Sequence, residues 1–254
     1  MPLAHLEAGD PGLPPVVILH GLLGSSRNWG GVVRALAPRH RVLALDLPNH
    51  GASPWVERMD YPFQARLVAD EIGALGQPVA LIGHSMGGKV AMSLALTRPE
   101  LVERLVVVDI APVRYSHTFA PYLRAMRAVP LARLEGRDQA DAILAPAIPD
   151  PAVRALLLHN LERSEAGFRW RPNLAVLLAE MDEILDFPAF PPQARYDRPA
   201  LFLTGRHSDY VGSEADPVIR ARFPAADRVE VAAGHWVHAE APADFVAAVE
   251  RFLG

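Results

Sequence analysis

The feature that most constrains the fold is the stretch VALIGHSMGGKVA at residues 79–91. A short apolar run ends in Gly-x-Ser-x-Gly, with Ser85 at its centre, and an Ala-rich helical pattern follows at once. A strand, a sharp turn and a helix in this order hold a serine hydroxyl clear of both elements, which is a nucleophile elbow. Gly83 and Gly87 flank the serine because a Cβ at either position would collide as strand and helix close up. The segment predicts that Ser85 is a nucleophile; a plain Gly-rich turn is the alternative.

Short β-branched and aliphatic runs alternate with helical patterns along the chain. The runs lie at 16–19, 41–45, 79–82, 105–108, 200–204 and 228–231, and 3–9 is typical of an edge strand. Such alternation predicts an α/β fold with a mostly parallel, doubly wound sheet and helices on both faces. In these sheets the active site lies at the carboxyl ends of the strands. His20, Asp46, Ser85 and Asp109 stand at or just past those ends.

The pattern changes after Asp109. Residues 112–195 contain no run typical of a buried strand, and their helical stretches are broken by Pro and Asp. An insertion of roughly 80 residues is too long for a plain loop. We therefore expect a helical cap, or lid, at 112–195 over the strand ends, and a core formed by 1–111 and 196–254.

Composition limits the classes of partner and site. The net charge of −4 is spread over 254 residues without blocks of one sign, which argues against nucleic acid as the main partner. The chain has no cysteine, so disulfides, thiolate chemistry and Cys-based metal sites are excluded. We see no signal-peptide pattern and no apolar run long enough to span a membrane. These observations predict a cytoplasmic protein without a membrane partner, and they leave its oligomeric state open.

Ser85 needs a general base, and His235 is distinguished by position among the 10 histidines. It follows the last predicted strand on a Gly-containing loop, just before the final helical pattern. This place brings it to the same edge of the sheet as Ser85, where it can accept the hydroxyl proton. We expect His238, three residues on, to begin the last helical region and to cap it or pair with Glu240.

Several motifs, in this order along the chain, resemble the α/β-hydrolase superfamily. They are HGLLG at 20–24, DLPNHGAS at 46–53, GHSMGG at 83–88 and GHW at 234–236. Finer details resemble the YbfF-type esterase branch: NHGASP at 49–54, GHSMGGK at 83–89, VDIAPV at 108–113, WRPN at 170–173 and GHWVHAE at 234–240. The resemblance covers nearly the whole chain outside the cap and implies the α/β-hydrolase fold with an inserted helical cap.

The base needs a carboxylate on its other ring nitrogen, to hold the tautomer and stabilise the imidazolium. Most of the superfamily supplies this acid after the strand that here ends near Thr204, where Ser208 occupies the usual position and Asp209 follows one residue late. The YbfF-type pattern instead implies an acid after the preceding strand, which is Asp109. We assign Asp109 as the acid and keep Asp209 as the alternative.

A developing oxyanion needs two backbone N–H donors. We expect them from Met86, which follows the nucleophile, and from Leu22, in the loop after the first buried strand. His20, Asp46 and His50 are expected to brace the loops around this site rather than to take part in chemistry.

Substrate contacts are the least defined part of the site. The cap motif at 170–173 suggests Trp170, Arg171 and Asn173 as substrate-binding residues, and residues 27–29 are further candidates. For all of these, packing in the core or on the surface is the competing interpretation.

These residues together predict a serine carboxylic-ester hydrolase, with carboxylesterase-like activity on small to medium acyl esters or thioesters. It would act through an acyl-enzyme, and neither a metal nor an organic cofactor is implied. Residues 22–25 and 46–48 also resemble menaquinone-pathway lyases of the superfamily, whose Ser–His pair acts as a base on a carboxylated ring. Such a lyase or C–C hydrolase, which needs arginines in its pocket, is the alternative function. A ligand-binding receptor with slow turnover is a third.

Overall fold

A seven-stranded sheet forms the centre of the protein in a computed structural model that describes residues 1–165 and 167–254. The strands are β1 (His5–Ala8), β2 (Pro15–Leu19), β3 (Arg41–Leu45), β4 (Val79–His84), β5 (Val102–Val108), β6 (Leu161–Ser164), β7 (Gly167–Trp170), β8 (Ala200–Gly205) and β9 (Ala226–Val231). The strand order in the large sheet is β1-β3-β2-β4-β5-β8-β9. Within this sheet only β1 pairs antiparallel to its neighbour, and the other pairs are parallel. The predicted α/β fold with a mostly parallel sheet is confirmed.

Helices cover both faces of this sheet. They are α1 (Gly30–Leu36), α2 (Tyr61–Ala74), α3 (Met86–Thr97), α4 (Ala120–Ala128), α5 (Arg137–Leu144), α6 (Pro151–Leu158), α7 (Leu174–Ala179), α8 (Met181–Leu185), α9 (Asp216–Arg222), α10 (Val237–Glu240) and α11 (Pro242–Leu253). Across the described ranges, none of the helices combines the length and apolar character that a bilayer crossing requires.

Strand β2 shows why the central strands have continuous apolar runs. Successive side chains of a strand point to opposite faces of the sheet. Val17 and Leu19 belong to the hydrophobic cluster that α2 and α3 complete. Val16 and Ile18 belong to the cluster that α1 and α11 complete on the other face. Because both faces are covered, a strand here can carry no alternating polar positions.

The chain leaves the sheet between β5 and β8 and forms α4 to α8 together with the β6–β7 hairpin. The sequence shows no run typical of a buried strand in this region, and the short, mostly exposed hairpin strands at 161–164 and 167–170 were not predicted. The hairpin was not predicted because its strands are short and mostly exposed. Only the end at which Leu161 pairs with Trp170 is buried. Four-residue strands of this kind have no continuous apolar run. The division into a core and a cap at residues 112–195 stays a prediction.

The topology brings four loops to one edge of the sheet. Strands β2, β4, β5 and β9 run in the same direction, so the segments that follow Leu19, His84, Val108 and Val231 emerge side by side. These segments carry the residues that the sequence analysis singled out.

Candidate active site

Ser85 occupies a strained turn between β4 and α3. Its backbone angles are φ 51° and ψ −119°, a region that side-chain-bearing residues rarely adopt. Its amide donates a hydrogen bond of 3.0 Å to the carbonyl of Val108 on β5, which fixes the turn to the sheet. A Cβ on Gly83 would overlap the carbonyl oxygen of Gly87, and one on Gly87 would lie 2.5 Å from the carbonyl oxygen of His20. Both glycines are therefore required by close approach, as expected from the sequence.

Ser85, His235 and Asp109 form one hydrogen-bonded chain. The distance from Ser85 Oγ to His235 Nε2 is 3.1 Å, and that from His235 Nδ1 to Asp109 Oδ2 is 2.7 Å. A proton on Nδ1 is donated to the carboxylate, which leaves the Nε2 lone pair facing the serine hydroxyl. The side chain of Asp109 has no exposed surface, whereas Asp209 is exposed. Of the two candidate acids, it is Asp109 that contacts His235.

The carboxylate of Asp109 is held by two further donors. Ser208 Oγ donates to Oδ2 over 2.5 Å, and the amide of Gly205 donates to Oδ1 over 2.9 Å. The backbone of Asp109 is itself in the left-handed region, with φ 50°. Such conformations cost free energy and collect at functional sites. The sequence showed Ser208 only as the occupant of the usual acid position, and its role as a donor to the relocated acid was missed.

Glu240 fixes the loop that carries His235. Its carboxylate accepts hydrogen bonds from the amides of Gly234, at 2.6 Å, and Trp236, at 3.2 Å. The two amides flank the histidine, so the loop is clamped on both sides of it. Nothing in the sequence pointed to this contact beyond the position of Glu240 in a motif.

His238 does not pair with Glu240, and that expectation was wrong. Its ring stacks on Trp29 with centroids 4.0 Å apart and an angle of 7° between the planes. Burial, and to a smaller degree His235, lowers the pKa of His238 to about 3. Because the His238 ring stays neutral, it offers no positive charge to the Glu240 carboxylate. The backbone amides of the His235 loop need acceptors, and they are the donors that Glu240 contacts.

Two aromatic neighbours hold His235 itself. The ring of Tyr210 stacks on the imidazole at 3.7 Å with an angle of 17°. His84 donates from Nε2 to the backbone carbonyl of His235 at 2.9 Å. Burial, followed by the proximity of His235 and His238, keeps the pKa of His84 well below its usual value. His84 and His238 are therefore neutral near pH 7, and His235 is the ring with a carboxylate partner.

The loop after β2 is braced as expected. His20 accepts from the amide of Leu47 at 2.9 Å, and His50 accepts from the amide of Leu23 at 3.1 Å. Burial lowers the pKa of both imidazoles, which keeps these ring nitrogens free to accept. Asp46 accepts from the amide of Ser26 at 2.6 Å and closes the other end of the loop.

The amides of Leu22 and Met86 are the expected oxyanion donors. Neither amide is hydrogen-bonded to an acceptor in the part of the chain that the structure describes. Met86 is the first residue of α3, where an N–H has no intrahelical partner. Leu22 and Met86 line the same cavity as Ser85. The position of both amides suits the expected role.

Trp170, Arg171 and Asn173 of the insertion do not line the two cavities beside Ser85, so the structure gives their assignment to substrate no support. Trp170 is buried and donates from Nε1 to a backbone carbonyl of α4 at 2.9 Å. Arg171 forms an ion pair with Glu162 at 2.5 Å, and the Asn173 amide contacts Asn49 Oδ1 at 3.2 Å. Their polar atoms are engaged in holding the insertion together and to the loop after β3.

Two small cavities of about 40 Å³ each meet at Ser85. The first runs toward α8, and its walls include Tyr61, Lys89, Tyr115, Ile184 and Tyr210. The second runs toward the His235 loop and α6, and its walls include Asn28, Trp29, Val153, Leu156, His235 and Trp236. It adjoins a groove of about 810 Å³ that Arg27 and Asn28 also line. Residues 27–29 thus lie on this second side.

In chemical terms, the site holds a serine hydroxyl, a base that can take its proton and a buried carboxylate that stabilises the charged base. This set suits nucleophilic attack on an electrophilic carbonyl. Within residues 1–165 and 167–254, no group of three or more His, Asp or Glu side chains is arranged to hold a metal ion.

Comparisons with known proteins agree with this geometry. A family model described as alpha/beta hydrolase fold matches residues 14–242. The sn-1-specific diacylglycerol lipase ABHD11 of Xenopus tropicalis is 42% identical over 97% of this chain and 80% of that protein. Esterase YbfF of Escherichia coli is 36% identical over 94% of this chain and 92% of that protein. A solved structure titled marine microorganism esterase superposes with a TM-score of 0.95 at 33% identity, over 99% of both chains.

Proposed function

The chain belongs to the α/β-hydrolase family and is an esterase- or lipase-type hydrolase, and we propose that it cleaves small to medium acyl esters through an acyl-enzyme on Ser85. The observation that carries the proposal is the hydrogen-bonded chain from Asp109 through His235 to Ser85. Three side chains from distant parts of the sequence meet there in the order that nucleophilic attack requires.

In the acylation step, Ser85 Oγ attacks the ester carbonyl and His235 Nε2 takes the hydroxyl proton. The carbonyl oxygen becomes an oxyanion, which accepts hydrogen bonds from the amides of Leu22 and Met86. The imidazolium is stabilised by Asp109 across the contact of 2.7 Å. When the bond to the leaving alcohol breaks, His235 returns the proton to the alcohol oxygen.

In the deacylation step, a water molecule takes the place of the alcohol beside His235. The imidazole removes a proton from the water, which attacks the acyl carbonyl, and the bond to Ser85 Oγ breaks as the serine regains its proton. Thioesters fit the same sequence with a thiol as the leaving group.

The lyase and C–C hydrolase alternative has less support. Carboxylated ring substrates need cationic side chains in the pocket, and arginine is the residue best suited to hold a carboxylate. The described residues that line the two cavities at Ser85 include no arginine, and their one lysine, Lys89, donates to backbone carbonyls.

The test is hydrolysis of p-nitrophenyl esters from acetate to octanoate by the wild type and by Ser85→Ala. We expect a loss of at least about 10³-fold in kcat/KM for Ser85→Ala, because the nucleophile is removed while the rest of the site remains. Ser93→Ala is the matched control, since Ser93 is a buried serine of the same helix without a hydrogen-bond partner in the described residues. Equal activity of the wild type and Ser85→Ala would overturn the proposal.

A further inference from the structure

This inference rests on the proposed function. If that function holds, the two cavities at Ser85 have different roles. His235 must protonate the leaving alcohol, so the leaving group has to lie against His235. The cavity that His235 and Trp236 line is therefore the leaving-group side, and it adjoins the groove of about 810 Å³. The remaining cavity, lined by Met86 and Lys89, receives the acyl chain.

The acyl cavity is short and apolar. Its volume is about 40 Å³, and one water-sized group occupies roughly 10–15 Å³ on this measure, so it holds about three such groups. Ile184 and Leu185, the last residues of α8, form part of its wall. The position of α8 therefore affects the space available to an acyl chain.

Lys89, the single lysine of the chain, ties α8 to the nucleophile helix. It follows Ser85 by one helical turn, and both line the acyl cavity. Its Nζ donates to the carbonyls of Leu185 at 2.9 Å and Asp186 at 2.8 Å, and lies 3.5 Å from that of Ile184. These carbonyls lie at or just past the end of α8 and have no intrahelical donor. Leu185 also accepts from the amide of Tyr115 at 2.9 Å, so Lys89 adds a second donor there and is the donor to Asp186.

Two further observations support a specific role for this lysine: a second side chain holds the end of α8, and the burial of an ammonium group costs free energy. Tyr61 Oη donates to the carbonyl of Ile184 at 2.5 Å, so two core side chains grip the same end of α8. Lys89 is 2% exposed, and burial lowers its pKa to about 7, with Asp186 acting in the opposite direction. An apolar side chain at position 89 would avoid this cost, but the carbonyl of Asp186 would lose its donor, whereas Ile184 and Leu185 would keep the Tyr61 hydroxyl and the Tyr115 amide.

We propose that Lys89 sets the upper limit of acyl-chain length by holding Ile184 and Leu185 in place as part of the wall of the acyl cavity. Lys89 touches neither the ester carbonyl nor the leaving group in this role. It is a positioning residue, and its effect appears in the choice among acyl chains rather than in the chemical step.

The experiment compares kcat/KM for p-nitrophenyl acetate and octanoate in the wild type and Lys89→Met. We expect the octanoate-to-acetate ratio to rise at least tenfold in Lys89→Met, while the value for acetate stays within about fivefold. Arg114→Met is the matched control, because Arg114 is half exposed and bridges Asp182 and Asp186 of the same segment through side chains only. Its ratio is expected to stay within twofold.

A different result is expected if Lys89 only stabilises the fold. In that case Lys89→Met lowers the unfolding temperature and reduces kcat/KM for acetate and octanoate alike, and the proposal is overturned. If Lys89→Met does not fold, Lys89→Gln takes its place with the same expectations, and Ile184→Ala shortens the wall while Lys89 is kept. An unchanged ratio in Lys89→Gln, or in Ile184→Ala, also overturns the proposal. A wild type that hydrolyses no ester refutes the proposed function instead.

Discussion

Replacement of Asp109 by asparagine separates the two candidate acids. Asp109 Oδ1 accepts from the amide of Gly205, so the oxygen of an asparagine side chain is expected to stay at that position. The amide nitrogen then lies where Oδ2 contacts His235 Nδ1. An N–H that points at Nδ1 forces the histidine proton to Nε2, and Nε2 can no longer accept the proton of Ser85.

The magnitude follows from this change of tautomer. A hydrogen bond to a charged group contributes about 1.5–3 kcal/mol, and here it grows stronger as His235 becomes charged. The wrong tautomer adds to this loss, and the same substitution in a serine protease of this geometry lowers kcat about 10⁴-fold. We expect Asp109→Asn to lower kcat/KM by about 10³ to 10⁴, which corresponds to ~4–5.4 kcal/mol in the barrier.

The assay is hydrolysis of p-nitrophenyl acetate by Asp109→Asn, with thermal unfolding to confirm that the variant is folded. Asp209→Asn is the control, because Asp209 is exposed and lies one residue beyond the Ser208 that contacts Asp109. Its kcat/KM should stay within about threefold of the wild type. Asp109 is not the acid of the site if Asp209→Asn loses most activity, or if folded Asp109→Asn keeps more than a tenth of the wild-type activity.

Two further predictions concern stability and the His235 loop. Burial lowers the pKa of His50 and of His238 to about 3, so the unfolded chain takes up protons below about pH 6.5 that the folded chain cannot. The free energy of unfolding should therefore be highest above pH 6.5 and fall as the pH drops from 6.5 toward 3, by up to ~1.4 kcal/mol per pH unit for each histidine. Urea unfolding at pH 7, 6 and 5 measures this, and a free energy of unfolding that does not change with pH would contradict the prediction. Glu240→Gln weakens the hydrogen bonds that hold the His235 loop, so kcat should fall about five- to thirtyfold with little change in unfolding temperature. Asp244→Asn, at an exposed position, is the control and should leave kcat unchanged. Equal kcat in both variants would refute the role of Glu240 in holding the loop.

The sheet and the edge that holds the site could be predicted because buried parallel strands have continuous apolar runs. Val16 to Leu19 and the run before Ser85 are examples, and each leads directly into a segment that carries residues of the candidate site. The turn at Ser85 could also be predicted, since Gly83 and Gly87 are required by backbone approaches within the turn itself. Steric requirements within a turn and the periodicity of apolar residues can both be predicted from the sequence.

Contacts between distant segments could not be predicted in the same way. The stacking of His238 on Trp29 depends on how α10 packs against the segment before α1. Motif similarity drew attention to Trp170 and Arg171 without showing where their side chains point. Their donors face a carbonyl of α4 and a carboxylate on β6, which only the packing of the insertion determines.

The most direct test of the account is covalent labelling of the nucleophile with a p-nitrophenyl phosphonate ester. Attack by Ser85 on phosphorus releases p-nitrophenol and leaves a stable adduct, because water cannot readily displace it. We predict one equivalent of p-nitrophenol, one adduct by intact mass, its location at Ser85 by peptide sequencing, and no adduct in Ser85→Ala. An adduct on another residue, or labelling that persists in folded Ser85→Ala, would contradict the assignment of Ser85 as the nucleophile.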